Sequence, residues 1–206
     1  MTMPHGLADP SRMSAKRLVS MVLGAVLLIV GGCSEKSDPF PVDPALLGPV
    51  QTDDALHLRF QAPVQFQAAD PSFLARSRQA LAAQRRGDPY EIMPSMIFAI
   101  PGSDARCFVS SFPNAHGVAF DDQWRDGYLK AARERSVSGS FDSELIARPD
   151  RSVLAVTVAG EQMVNRRFVC ATPQGELLQV DYLIPDSLRT TLEPAVKSSI
   201  GSMTFF

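Results

Sequence analysis

The chain has 206 residues, with 20 Lys plus Arg against 22 Asp plus Glu, and 45% of its residues are apolar. This is enough chain for one domain with a real core. Its formal charge of −2 leaves no basic excess to hold a phosphate backbone, so nucleic acid is excluded as a partner class.

Lys16 and Arg17 precede the apolar run LVSMVLGAVLLIVGGC, Leu18 to Cys33. A charged start, an apolar run too short for a convincing span, and small residues before a cysteine read as a secretory signal. The last four residues, Val30-Gly31-Gly32-Cys33, resemble the lipobox of bacterial lipoproteins. That resemblance implies removal of residues 1–32 and attachment of fatty acid, palmitate included, at Cys33 as the first mature residue. A plain signal peptide or tail anchor with an incidental cysteine is the alternative. Without residues 1–32 the chain keeps 17 basic and 21 acidic residues, so membrane attachment is expected from lipid and not from a polybasic patch. Ser34 stands where an Asp signals inner-membrane retention in such lipoproteins, which implies the outer membrane. Translation from Met13 would give a more conventional signal than translation from Met1.

Residues 33–52 form a Pro-rich tether by composition, with Pro39, Pro41, Pro44 and Pro49 disfavouring regular structure. The single folded domain is expected over 53–206. Leu56, Leu58 and Phe60 alternate with polar residues as in a half-buried strand, and Val64 and Phe66 resume the alternation beyond Pro63. Asp70 as N-cap and Pro71 at the first helical position open a helix whose apolar face holds Phe73, Leu74, Ser77, Ala80 and Leu81. Arg85 and Arg86 close its last turn and Gly87 follows.

Ser95 to Ile100 and Ala105 to Phe112 read as a hairpin around Pro101-Gly102-Ser103-Asp104. A second helix opens at Asp121 or Asp122, with Trp124, Tyr128, Ala131 and Ala132 near helical spacing and Gly127 as a weak point. Four strands follow as a meander, Ser143 to Ala147, Ser152 to Ala159, Met163 to Thr172 and Glu176 to Ile184. In the last, Gln179 and Asp181 alternate with apolar residues, so one face is expected to be wetter. A closing helix after Pro185, split at Pro194 and ending at Gly201, leads to a terminal strand with buried aromatics.

These elements give an α+β domain, an antiparallel sheet with flanking helices. Their order, with LRFQAPVQF, VDYLIP, LEPAVKSSI and the terminal GSMTFF, resembles the PsbP-like α/β/α sandwich, which includes small bacterial lipoproteins of the DcrB type. The resemblance spans most of Leu56 to Phe206 and implies the fold alone; no ligand or catalytic residue carries over.

Chemistry is sparsely marked. Cys107 and Cys170 are an even pair for an oxidising compartment, and a disulfide between them would close a loop of about 64 residues, worth about 4 kcal/mol; two buried free thiols are the alternative. His57 and His116 lie in no HExxH or CxxC context, so neither metal nor cofactor is implied. No GxSxG elbow marks a nucleophile, and a Cys107–His116 thiol pair would need an exposed thiolate. Arg166 and Arg167 point to opposite sheet faces, and the one that must find a partner is the candidate groove residue. Trp124 reads either as a contact residue or, by its size, as packing on the sheet.

The function expected is a lipid-anchored, periplasm-facing envelope lipoprotein that binds another envelope component in a non-catalytic accessory role. A small envelope hydrolase, with a site near His116 and Asp121 or Asp122, and a structural spacer are the alternatives.

Overall fold

The computed structural model describes residues 38–84, 87–136 and 139–206. The signal segment, Cys33 and the pair Arg85 and Arg86 lie outside the described residues. Two antiparallel sheets form. Strands β1 (Gln51–Asp53), β2 (Leu58–Phe60) and β10 (Thr204–Phe205) make the small one, with β2 in the middle. The large sheet has seven strands in the order β3-β4-β5-β9-β8-β7-β6. Here β3 is Gln67–Ala68, β4 Met93–Ala99, β5 Arg106–Ser111, β6 Ser140–Ala147, β7 Ser152–Ala159, β8 Met163–Ala171 and β9 Leu177–Pro185. The hairpin and the meander are both present, and the meander folds back to set β9 against β5. This non-sequential neighbour makes β9 a central strand, apolar on one face and mixed on the other.

One face carries Cys107, Val109, Phe168, Cys170, Val180, Tyr182 and Ile184. It packs against the small sheet, through Leu58 and Phe60, and against helix α3 (Arg189–Ser202), through Leu192, Val196 and Ile200. The opposite face carries Leu154, Val156, Val169 and Leu177 under helix α2 (Asp122–Glu134), whose Trp124, Tyr128 and Ala132 point down onto it. Helix α1 (Pro71–Ala83) lies along β4 with none of its residues buried. Helices on both faces of an antiparallel sheet are the α+β layering expected.

Several expectations are corrected. Residues 38–52 do not all serve as a tether. Phe40 is buried against Phe168 with ring centroids 5.7 Å apart, and Ser198 of α3 binds the backbone N–H of Asp43 at 2.8 Å. Leu47 bridges Pro63, and β1 pairs with β2. The segment reaches α3 because Gly201 has no side chain: a Cβ there would lie 2.2 Å from the Phe40 carbonyl oxygen. That close approach, not a helix end, is what the glycine provides, and α3 runs on to Ser202.

Helix α3 also continues across Pro194, because the break falls earlier, at a 3-10 turn over Asp186–Leu188. Phe206 is 48% exposed, its ring lying under the Arg59 guanidinium at 5.3 Å, and Phe205 is half-buried, so neither terminal aromatic is fully buried.

The disulfide expected between Cys107 and Cys170 is not formed; both thiols are buried and free. The topology forbids it. Strands β5 and β8 flank β9, about 10 Å apart, and the cysteines lie opposite Tyr182 and Leu178, roughly 13 Å apart along that strand. A bridge needs Cα atoms within about 7 Å.

Candidate functional site

The large sheet's second face is only partly covered by α2. Between α2 and α1 a cavity of about 310 Å³ opens over β5, β9 and β8. Leu81 of α1 forms one wall, with Ile92 and Pro94 leading into β4; Tyr128, Ala132 and Arg135 form the other. Helix α2 is placed by Asp121, whose carboxylate accepts the Trp124 N–H at 2.9 Å, as an N-cap should. Trp124 stacks on Tyr128 at 5.3 Å and meets Phe112 edge to face at 5.2 Å. It is therefore a packing residue and not an exposed contact.

Tyr90 closes the cavity wall, 5.5 Å from Trp124 and 6.3 Å from Tyr128. Its position accounts for the glycine inside α2. A Cβ on Gly127 would stand 1.9 Å from the Tyr90 hydroxyl. The cost of glycine in a helix is thus offset by the close approach of an aromatic ring.

The floor is polar and buried. Gln179 and Asp181 are 3% and 6% exposed. Tyr128 donates its hydroxyl to Gln179 Oε1 at 2.6 Å, and Gln179 in turn donates Nε2 to Asp181 Oδ2. Arg167 sits directly across from Asp181 on β8 and places Nε 3.2 Å from Oδ1. Burial drives the Asp181 carboxyl above the usual carboxylate range, and Arg167 pulls it only partly back. Burial likewise raises the Tyr128 phenol. Asn165 and Ser110 complete the lining. Ser110 is fully buried, and neither its hydroxyl nor the Asn165 carbonyl oxygen has a hydrogen-bond partner in the protein.

The paired arginines separate as their sheet positions require. Arg166 faces α3, where it donates to Glu193 at 2.6 Å and lies 5.5 Å from the Phe168 ring. Arg167 faces the α1–α2 cavity, whereas Arg166 lines a separate groove on the other face with Phe40 and Glu193. In the sequence Gln179 and Asp181 are legible only as an alternating polar pair, which points to a wet surface. The informative signal is their flanking by Leu177 and Leu183 on the same face: two polar positions enclosed by apolar ones.

The other candidates do not converge. His116 is exposed, its Nδ1 3.9 Å from Glu176, while Asp122 pairs with Arg125. None of these, nor Asp121, lines the cavity. Cys107 lies on the far face of the sheet, its thiol raised by burial; the Cys170 thiol is pushed up to about 12 by the same cause. Both are poor nucleophiles in the folded state. Among the described residues no three His, Cys, Asp or Glu side chains gather as metal ligands, and no helix is long and apolar enough to cross a membrane.

No family model and no curated relative matches the chain. Among solved structures it is similar to the solution structure of the cyanobacterial PsbP protein, CyanoP, from Synechocystis sp. PCC 6803. The identity is 14% and the TM-score 0.48, over 86% of this chain and 99% of that one. The α+β assignment stands on the sheet order and helix placement themselves.

Proposed function

We propose that this protein is a lipid-anchored, periplasm-facing component of the outer membrane, and that it holds another envelope component in the α1–α2 cavity in a non-catalytic accessory role. The observation that carries the reading is the cavity itself, with apolar walls around a few convergent buried polar groups. The address is supported by the lipobox-like run ending at Cys33 behind Lys16 and Arg17. The binding role is favoured over a hydrolase because His116, Asp121 and Asp122 lie apart from the cavity and two of the three are engaged elsewhere.

The test compares wild type with Cys33→Ser in palmitate-labelled cells, followed by fractionation and by affinity purification from detergent-solubilised membranes. Label and membrane retention are expected in the wild type and not in Cys33→Ser. A stoichiometric companion is expected to copurify with the wild type and to be lost on filling the cavity with Ser110→Leu. Firm membrane binding of both forms without label overturns the address. Purification without any companion molecule overturns the binding role.

A further inference from the structure

The side chains that line the α1–α2 cavity restrict which ligands it accepts, and the choice of ligand rests on the cavity having a binding role at all. Its charges are paired off. At the mouth Arg135 is bonded to Asp88 and to the Tyr90 carbonyl oxygen; on the floor Arg167 is matched by Asp181. The Gln179 amide is used at both ends, by Tyr128 and by Asp181. An ionised ligand would give up its hydration to a floor with no unmatched counter-charge, which is costly in a buried site.

Three buried atoms of the lining lack a hydrogen bond: Arg167 Nε, whose charge Asp181 nevertheless matches at 3.2 Å, and two neutral ones, Asn165 Oδ1 and the Ser110 hydroxyl. The Ser110 hydroxyl, fully buried on β5 and lining the cavity, has no protein partner, and it can both donate and accept. Buried polar atoms are rarely left so. Pro94 stands directly beside Ser110 in the β4–β5 register, and Phe108 lies two residues before it on the same face. Leu81 and Ile92 continue the apolar wall. A volume of about 310 Å³ is at the small end of ligand sites.

We infer that this cavity binds a small uncharged amphiphile, its apolar body on Leu81, Ile92, Pro94 and Phe108 and its neutral amide or hydroxyl head on the Ser110 hydroxyl. The Ser110 hydroxyl thereby gains a partner, and neither ion pair is disturbed.

The chain has one tryptophan, Trp124, in contact with Tyr90 and Tyr128 of the cavity wall, so its emission reports on the site. Full-length protein reconstituted in liposomes is titrated with 4-phenylbutanamide, 4-phenylbutanoate and 4-phenylbutylamine, which share one body and differ in the charge of the head. The amide is expected to give a saturable change with affinity at least tenfold tighter than either ion, and Ser110→Ala to weaken it about fivefold, the worth of one neutral hydrogen bond. An ion that binds as tightly as the amide, or no saturable response to any of the three, overturns the inference. Should Ser110→Ala fail to fold by circular dichroism, the three-compound comparison on wild type still decides. Tight binding of an ion would leave the cavity's binding role intact, whereas that role falls with the copurification experiment and not with this one.

Discussion

Asp181 occupies a position where a charge is poorly tolerated, on a central strand and 6% exposed, with one guanidinium beside it. Its carboxyl therefore holds its proton more firmly in the folded chain than in the unfolded one. By linkage, the stability this group contributes is complete in acid, below the unfolded pKa near 3.8, and is lost as pH rises through the raised folded value. Asp181→Asn removes the titration while keeping the shape. Urea unfolding of both proteins across pH is expected to show the wild type losing stability relative to the variant as pH rises above about 4. A difference that grows in favour of the wild type over that range would mean that Arg167, not burial, dominates the site.

At the level of elements, the three helices are bound to the sheet unequally. Helix α2 is anchored by three buried residues and α3 by six, whereas α1 has none and keeps Phe73 and Leu81 41% and 37% exposed. Its apolar face is plain in the spacing; that the face lies beside a cavity and not on a core is not. Few buried contacts mean low local opening free energy, so α1 is the wall through which a ligand would enter. Helix α3 carries the opposite feature, a Pro194 in its interior, where the N–H to Thr190 is missing. A proline costs a helix interior about 3 kcal/mol relative to alanine, and its stiffening of the unfolded chain returns up to about 1 kcal/mol. Pro194→Ala is accordingly expected to stabilise the protein by about 2 kcal/mol, read as a higher urea midpoint at unchanged slope.

At the scale of the whole molecule, the described layers hold without a covalent staple. Two cysteines separated by a strand and a four-residue register cannot be joined, and both are shielded in the apolar face. In denatured Cys33→Ser protein the thiol count is expected to be two per chain with or without reductant. A count that rises on reduction would contradict the sheet order. What ties the outer segments in place is polar and aromatic. Arg151 donates to the carbonyl oxygens of Ile200 and Met203 at the end of α3, where a cation is favoured, and Arg148 lies 5.7 Å from the Phe40 ring. The Arg148-Pro149-Asp150-Arg151 turn, legible as a turn, is thus also the latch on the closing helix and on residues 38–43.

Periodicity, caps and turn residues are local, and they were enough to determine the meander, the hairpin, the N-cap at Asp70 and the α+β class, while leaving the second helix to open at Asp121 or Asp122. The lipobox-like run is local too and supplies the expected address. The order of strands is not local: nothing within β9 states that it pairs with β5 as well as β8. Only that pairing brings Ser110, Asp181 and Arg167 onto one floor, turns a polar alternation into a buried network, and keeps two cysteines apart. The site could be decided only by tertiary structure, because its residues come from four strands and two helices that lie far apart along the chain.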